Sequence, residues 1–325
     1  MKRWMFLGCI GMVALLALTG AVQAQEQYPS RNIEMVIPMG PGGTTDQLAR
    51  IYADQLGKDL NTSITAVNRA GGTGVQGTAF LTKAKKDGYI ISIGSGAWLV
   101  YQPVVNKEVP YDPIKDLTPL GFVASVPQVI AVRSDSPFKT LDELVDFARK
   151  NPGKLKNSVG GLLTESHFSI ELLCYHKNIK ITTVPFKSGA ESLTALLGGH
   201  VDMASNTLSS LSSQIVAGKF RALSISSKTR HPDFPNVPTT AELGYPFINL
   251  MAWWGFYVPA GTPQAAVNVL VPAVEKAFKN PEVTQRVTRL GFTAEYKGPE
   301  ELRKFLEEEI KAVRKVAESA GLIQK

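Results

Sequence analysis

Short β-branched runs alternate with amphipathic helical patterns along most of this chain, and this alternation restricts the fold more than any other feature. "IEMVIP" from residue 33 predicts a strand, and Leu48, Ile51, Tyr52 and Leu56 then recur at helical spacing. Later strand candidates are "ITAVN", "YIISIG", "QVIAV", "ITTVPF", "HVDMAS" and "ALSISS". Strands that alternate with helices favour parallel sheets built from βαβ units.

Ser/Thr-x-x-Glu patterns predict where three helices begin. "TLDE" from Thr140, "SGAE" from Ser188 and "TTAE" from Thr239 can each form a capping box. Gly198 and Gly199 predict the end of the helix that Ser188 opens. Residues 298–322 predict a charged amphipathic helix, which we expect to pack back on the first part of the chain.

The N-terminus predicts a secretory signal peptide over residues 1–24. Lys2 and Arg3 precede an apolar run, and the small residues of "TGAVQA" end at Ala24. A membrane anchor is the alternative, but the run is short for a span. We expect cleavage near Ala24 and a periplasmic mature protein.

Composition excludes several classes of protein. Loss of Lys2 and Arg3 lowers the formal net charge from +7 to +5, and the basic residues are scattered, so nucleic-acid binding is not predicted. Removal of Cys9 leaves Cys174 as the only cysteine, which rules out an intramolecular disulfide. The four histidines are not spaced as metal ligands usually are, so no metal site is predicted.

The length predicts the number of domains. About 300 mature residues predict two domains.

The turn "GPGGTTD" lies between the first strand and its helix. It lacks the lysine of a phosphate-binding P-loop. Gly42 and Gly43 instead lead through Thr44 and Thr45 into a helix N-terminus, whose free amides can bind a carboxylate. A threonine that caps its own helix is the alternative, but ligands of open α/β sheets bind at strand carboxyl ends. We expect the Asp46 side chain to fix the turn or to position a water molecule.

The second glycine cluster, "NRAGGTGVQG", contains Gly-x-Gly-x-x-Gly at Gly72, Gly74 and Gly77. A dinucleotide site needs an acidic residue at the end of the next strand, and "YIISIGSGAW" ends without one. We therefore predict a tight structural loop and no cofactor.

Two further segments combine small or polar residues with a helix start. In "GGLLTESHFSIELLCYH", Thr164 or Ser166 can cap a helix, and His167 can hydrogen-bond an anion. A secreted hydrolase using Ser166 and His167 is the enzymatic alternative, but neighbouring residues in one helical turn point apart. In "VPFKSGAES", the turn at residues 188–190 repeats the first arrangement, and Lys187 can contribute a cation.

In this order, these motifs resemble the substrate-binding receptors of tripartite tricarboxylate transporters, the Bug family of periplasmic solute receptors. The similarity runs from about residue 28 to the C-terminus. It includes "YPSRNIEMVIPMGPGGTTDQLAR", "VNRAGGTGVQG", "KKDGYIISIGS", "KTLDELVDFARKNPGKL", "GGHVDMAS", "AGKFRALSISSKTRHPDFPNVPTTAELGYP", "WWGFYVPAGTP" and "LGF".

The resemblance implies an α/β periplasmic binding protein, with a mainly parallel sheet in each of two lobes and crossing hinge strands. We expect lobe 1 at residues 25–124 and 225–325, and lobe 2 at 125–224. It implies a monomeric receptor without catalysis, which hands a small carboxylate to the membrane permease subunits of a transporter. A sensing role in place of transport is the alternative.

The resemblance also implies which residues bind the ligand. The expected ligand-binding residues are Gly42, Gly43, Thr44, Thr45, Asp46, Ser95, Thr164, Ser166, His167, Ser188, Gly189 and Ala190. Trp98, Trp253 and Trp254 are candidates for an aromatic pocket or for core packing.

This chain departs from the family pattern at two places. Gly40 stands where the family commonly has a proline, and Leu163 and Glu165 stand where a glycine and a small residue or proline are usual. An acidic side chain beside the ligand would repel an anion unless it points away. The choice of acid among dicarboxylates, tricarboxylates, aromatic acids and amino acids is therefore left open.

Overall fold

The computed structural model describes residues 28–319, apart from 228 and 249, together with residues 322 and 323. The predicted signal peptide, with Cys9 and the cleavage position near Ala24, lies outside the described residues. Within the described part, none of the helices is both long and apolar enough to span a membrane.

Ten strands form one continuous mixed sheet. The strands are β1 (Ile33–Ile37), β2 (Ile64–Asn68), β3 (Ile90–Ser95), β4 (Leu117–Arg133), β5 (Lys156–Val159), β6 (Thr182–Pro185), β7 (Met203–Thr207), β8 (Phe220–Ile225), β9 (Met251–Pro259) and β10 (Thr293–Lys297). Their order is β2-β1-β3-β9-β4-β7-β5-β6, and β8 and β10 also pair with β4.

The helices cover the sheet and mostly connect successive strands. They are α1 (Thr44–Asp59), α2 (Val75–Lys83), α3 (Gln102–Val105), α4 (Leu141–Lys150), α5 (Glu165–Lys177), α6 (Gly189–Leu197), α7 (Leu208–Val216), α8 (Gln264–Lys279), α9 (Pro281–Arg289) and α10 (Pro299–Ser319). A short π-helical segment, Ala97–Tyr101, precedes α3.

Two parallel sets of strands are joined by antiparallel ones. β2, β1 and β3 are parallel, as are β7, β5 and β6. β9 pairs antiparallel with β3 and with β4, and β4 pairs antiparallel with β7. The predicted α/β class with crossing strands is confirmed.

The long strand β4 changes partners near its middle. Up to Pro127 it pairs with β9, and from Gln128 it pairs with β7. The chain returns beside this point, because the Ser226 amide donates to the Gln128 carbonyl at 2.9 Å and the Ser226 hydroxyl donates to the Leu250 carbonyl at 2.6 Å. Both connections between the two sets of strands therefore lie next to each other.

The last helix packs back on the first part of the chain, as its amphipathic pattern predicts. Leu302 and Leu306 of α10 belong to the same buried cluster as Trp98 and Trp253. Burial of this apolar face stabilises α10, which is otherwise rich in charge.

Of the three Ser/Thr-x-x-Glu patterns, two mark the beginning of a helix and one does not. The Thr140 capping box is present, and Ser188 caps α6, which ends at Gly198. Thr239 and Glu242 also exchange capping hydrogen bonds, but the segment forms a turn and the predicted helix is wrong. Pro246, two residues beyond Gly244 with φ +80°, prevents a helix from continuing.

The second glycine cluster is a tight loop, as predicted. A Cβ on Gly77 would lie 2.7 Å from the Arg69 carbonyl oxygen and 2.8 Å from the Pro38 Cα. A Cβ on Gly74, which has φ +91°, would lie 2.5 Å from the Trp98 ring. These glycines permit close packing of α2 against the end of β1.

Candidate functional site

Three helix N-termini meet at one cavity of about 150 Å³. α1 follows β1, α5 follows β5 and α6 follows β6, so each helix begins beyond the carboxyl end of a parallel strand. The cavity is lined by Met39, Gly40, Pro41, Gly43, Thr44, Thr45, Ser95, Ala97, Trp98, Gly160, Thr164, Glu165, Ser166, Lys187, Ser188, Gly189, Asn206, Thr207, Ser210, Ala252 and Trp254.

The N-terminus of α1 has no side-chain cap within the described residues. Gly43, and not a threonine, is the N-cap residue, and no side chain accepts from the first amides. Unpaired amides at a helix N-terminus carry partial positive charge and attract anions. Because Gly43, Thr44 and Thr45 line the cavity, this terminus can receive a carboxylate there.

Asp46 holds the turn before α1 and does not line the cavity. Its Oδ2 accepts from the Gly42 amide at 3.0 Å, and its Oδ1 accepts from the Asn68 amide group at 2.8 Å and from Arg50. Although burial opposes the effect, the hydrogen bonds from Arg50, Gly42 and Asn68 lower the pKa of Asp46. Asp46 therefore remains ionised and fixes Gly42 at φ +77°.

The two threonine hydroxyls of α1 contact other parts of the cavity wall. Thr45 Oγ1 accepts from Trp254 Nε1 at 3.0 Å. Thr44 Oγ1 lies 3.4 Å from Ser210 Oγ on α7, which follows the second parallel set of strands. The cavity wall therefore includes residues that follow the first parallel set of strands and residues that follow the second.

The N-terminus of α5 is capped by the Thr164 side chain. Thr164 Oγ1 accepts from the His167 amide at 3.3 Å and donates to the Gly161 carbonyl at 3.0 Å. Ser166 Oγ donates to Gln128 Oε1 at 2.6 Å. Thr164 and Ser166 line the cavity with hydroxyls that already have partners.

His167 does not line the cavity, although the sequence predicts a ligand contact. Its Nδ1 accepts from the Leu163 amide at 3.1 Å, and its Nε2 lies 3.3 Å from Glu171 Oε1. Leu163 has φ +55°, so the imidazole supports a strained loop. Ser166 and His167 therefore have separate hydrogen-bond partners and do not form a nucleophile and base pair.

His167→Ala is expected to destabilise the unliganded protein. The substitution leaves the partly buried Leu163 amide without its acceptor, which typically costs about 1 to 3 kcal/mol of unfolding free energy. Chemical denaturation of the unliganded variant measures the loss, and Glu171→Gln, which keeps Nδ1 in place, is the control. Unchanged stability with weakened ligand binding would instead indicate direct ligand contact.

The turn before α6 supplies the third terminus. Ser188 Oγ accepts from the Glu191 amide at 3.3 Å, and Glu191 Oε2 accepts from the Lys187 amide at 3.2 Å. Ser188 and Gly189 line the cavity, as does the exposed Lys187, whereas Ala190 does not.

Other lining residues come from strand ends and from α7. Ser95 ends β3, and the sequence-based prediction includes it. Asn206 and Ser210 are absent from that prediction, although Asn206 follows the predicted strand "HVDMAS" at its carboxyl end. Trp98 and Trp254 line the cavity, whereas Trp253 does not.

Glu165 is the acidic residue of the lining and is 4% exposed. A Cβ on Gly96 would lie 2.6 Å from its Oε1, and that oxygen has no hydrogen-bond partner among the described residues. Burial raises the pKa of Glu165 to about 7, against the opposing effect of the nearby Glu165 and Ala97 amides.

Glu309 of α10 contacts the Trp253 indole nitrogen, which also lies near Gly96. Its Oε2 accepts from Trp253 Nε1 at 2.5 Å. Burial, and secondly the charge of Glu165, raise the pKa of Glu309 to about 8. Two carboxyl groups from distant parts of the chain therefore share one weakly hydrated region.

A second, larger cavity of about 680 Å³ lies beside Glu309, and its lining is mainly apolar. Tyr101, Phe122, Phe168 and Trp253 are among its lining residues. Converging backbone donors, and not volume, identify the smaller cavity as the candidate site for an anion. In the described part of the chain, no cluster of His, Cys, Asp and Glu could hold a metal ion.

Known proteins are similar to this chain over most of its length. Residues 48–322 match the model of a family described as "Tripartite tricarboxylate transporter family receptor". The structure of the periplasmic binding protein BugD is similar at 29% identity and a TM-score of 0.85, over 92% of this chain and 100% of that one.

Two similar solved structures hold ligands. Rpa4515 of R. palustris with adipate is 31% identical, with a TM-score of 0.85, over 90% of this chain and 98% of that one. MatC of Rhodopseudomonas palustris with bound malate is 29% identical, with a TM-score of 0.83, over 89% of this chain and 99% of that one.

Proposed function

Because this chain belongs to the family of tripartite tricarboxylate transporter receptors, we propose that it is a periplasmic receptor for a small organic carboxylate. The receptor binds its ligand in the 150 Å³ cavity and delivers it to the membrane permease subunits of a transporter. The proposed lobes are residues 25–124 with 225–325, and residues 125–224. Catalysis has no part in this function.

The uncapped N-terminus of α1 carries the proposal. A helix of this length would gain stability from a Ser, Thr, Asp or Asn cap, yet Gly43 stands there and the amides face a cavity. A ligand carboxylate can take the place of that cap. The adipate and malate held by similar proteins support an anion as the ligand.

The proposed ligand contacts divide into two groups. The first group lines the cavity and consists of Gly43, Thr44, Thr45, Ser95, Thr164, Ser166, Ser188 and Gly189. Thr164 and Ser166 act through backbone amides, because their hydroxyls donate to Gly161 and Gln128. Gly42, Asp46, His167 and Ala190 act through the turns that they hold. About four charge-assisted hydrogen bonds of roughly 1.5 to 3 kcal/mol each, less about 4 kcal/mol for association, leave a binding free energy of about −2 to −8 kcal/mol. The favourable end of this range corresponds to roughly micromolar affinity.

Closure of the cavity follows from contacts on both sides. Thr44 meets Ser210, and the Gln102 side chain donates to the Leu162 carbonyl at 3.4 Å, so each pair joins the two proposed lobes. A ligand that touches both lobes binds the closed arrangement better than an open one and shifts the population toward it.

Thermal shift of the mature protein, residues 25–325, with a panel of organic acids tests the proposal. A ligand at about 100 times its dissociation constant adds about 2.7 kcal/mol of stability. We expect at least one di- or tricarboxylate, amino acid or aromatic acid to raise the melting temperature, and its methyl ester to fail. No shift with any acid, after removal of copurified ligand by refolding, would contradict carboxylate binding.

A further inference from the structure

The two cavities lie on opposite faces of the crossing strand β9. Ala252 and Trp254 line the cavity of 150 Å³, whereas Met251 and Trp253 line the cavity of 680 Å³. Successive residues of a strand point to opposite faces of the sheet, so the strand itself separates the two spaces. A molecule in the larger cavity therefore does not occupy the site proposed for the carboxylate.

The larger cavity is lined by apolar side chains from both proposed lobes. Phe168 and Leu172 come from α5, Phe122 comes from β4, and Phe305 and Val313 come from α10. Cavities that bind small molecules typically have volumes of about 300 to 1,000 Å³ and mainly apolar walls. The larger cavity has both properties, and its walls suit the hydrocarbon part of a ligand.

The pairing of β4 with β9 places a polar residue on the face of the larger cavity. Ser125 is the cross-strand partner of Trp253, and directly opposed residues project to the same side of a sheet. Ser125 is 2% exposed, and its hydroxyl has no hydrogen-bond partner among the described residues. Because buried polar groups normally have partners, this wall is not arranged for packing alone.

Glu309 supplies a carboxyl group to another wall of the larger cavity. It belongs to the face of α10 that lines this cavity, together with Phe305, Ala312 and Val313, which lie three or four residues away. Its Oε2 accepts from Trp253 Nε1, which leaves Oε1 without a hydrogen bond in the described part of the chain. The Glu309 side chain remains partly accessible. Its carboxyl can therefore accept a hydrogen bond from a molecule in the cavity.

Glu309 has no ion pair within the described residues. The charged residues of the cavity lining are Glu295, Lys297, Glu308 and Glu309. Lys297 pairs with Glu295, and Glu308 lies 4.0 Å from Lys304. Glu165, the charged group that most affects Glu309, is another acid. The apolar cavity therefore lacks a positive charge opposite Glu309, and a cationic ligand would provide it.

The aromatic rings of this wall also suit a positively charged group. Lys297 Nζ lies 4.2 Å from the centre of the Phe122 ring and 5.6 Å from that of Phe305. Trp253 stacks on Phe122, with the ring centres 5.9 Å apart. Aromatic faces attract ammonium groups, and a carboxylate beside them adds a charge-assisted hydrogen bond. This combination recognises an amine and disfavours an anion.

We propose that the larger cavity is a second ligand site, which binds an amine with an alkyl or aromatic body. The ammonium nitrogen donates to Glu309, and the hydrocarbon part fills the apolar space between α5 and α10. The site is distinct from the proposed carboxylate cavity, because β9 separates the two.

Isothermal titration with matched probes tests this second site. Hexylamine and phenethylamine are the probes, and hexan-1-ol and 2-phenylethanol are their neutral counterparts. At about pH 8 the amines are protonated, because alkylamines such as that of lysine have a pKa of about 10. We expect at least one amine to bind about tenfold or more tightly than its alcohol, since only the amine offers a charged donor to Glu309.

Three variants locate the binding. Glu309→Gln keeps an acceptor for Trp253, and it should weaken amine binding about tenfold while changing alcohol binding by about twofold or less. Glu307→Gln removes the same charge from α10 outside the cavity lining and should leave both affinities unchanged. Ala312→Phe narrows the cavity from an exposed position and should weaken amines and alcohols alike. Melting curves show whether each variant folds.

The outcomes decide on this site without reference to the receptor function. Amines that bind no more tightly than their alcohols, or that bind Glu309→Gln as tightly as the wild type, would overturn the proposal. Binding that Ala312→Phe leaves unchanged would place the amine outside this cavity and also overturn it. Absence of binding by every probe at millimolar concentration would refute the site. None of these titrations contains a carboxylate ligand, so the receptor function stands in each case.

Discussion

Gly43→Asp is expected to abolish carboxylate binding while leaving the unliganded protein as stable as the wild type, or slightly more so. Gly43 has φ −80° and ψ 172°, which any residue adopts, and a Cβ there would approach only the Gly40 carbonyl oxygen at 3.8 Å. The new carboxylate would cap α1 from within the chain and occupy the amides that the ligand needs. Loss of two charge-assisted bonds at about 1.5 to 3 kcal/mol each predicts at least a hundredfold weaker binding.

Gly43→Asn is the matched control for this experiment. Asparagine has the same shape and caps a helix as well as aspartate, but it carries no charge. We expect its affinity to lie between those of the wild type and Gly43→Asp, and all three melting temperatures to agree within a few degrees. Unchanged affinity in Gly43→Asp, measured by titration with the best acid of the panel, would contradict ligand binding at this terminus.

Glu309→Gln is expected to stabilise the protein and to weaken the dependence of its stability on pH. The pKa of Glu309 rises from an ordinary 4.5 to about 8, because the group is buried and lies near Glu165. Between these values the folded state holds a proton that the unfolded state releases, so wild-type stability falls as pH rises through this window. The glutamine cannot ionise, so the variant lacks this loss of unfolding free energy. We expect the loss in the wild type to be about 2 kcal/mol, because water in the adjoining cavity partly solvates the charged carboxylate.

Glu308→Gln is the control for Glu309→Gln, because it removes the same charge from the next residue, whose side chain is 64% exposed. Urea denaturation at a series of pH values from about 5 to about 8 measures both variants. A remaining fall is expected from Glu165, which burial affects in the same direction. Equal pH slopes in Glu309→Gln and the wild type would show that the carboxyl is hydrated in the folded state.

Strands that form a short, uninterrupted run of β-branched and apolar residues could be predicted from the sequence. Strands that contain proline or glycine, or that are buried on both faces, could not. "ITAVN" coincides with β2, and "IEMVIP" contains β1. The first half of β4 was not predicted, because Pro119, Gly121 and Pro127 interrupt its pattern. β9 is buried on both faces over most of its length, so it has no alternation to reveal a strand.

The site could be predicted where it depends on local chain chemistry. The glycine turn before α1 and the serine turn before α6 could be recognised because the local sequence marks where each helix begins. Asn206 and Ser210 could not be predicted, because only the tertiary fold brings α7 beside Thr44. The role of His167 was obscured for a similar reason, since its ring turns back to the Leu163 amide.

The hydrogen bond between Ser226 and Gln128 has a consequence for how such proteins diversify. The segment between these residues begins and ends at the same point of the molecule. A segment whose ends meet can be exchanged between homologous genes without remodelling the remainder. Such an exchange would replace Thr164, Glu165 and Ser188 together while retaining the α1 turn. A lineage could therefore acquire a new ligand preference by recombining one half of the binding cleft and inheriting the other unchanged.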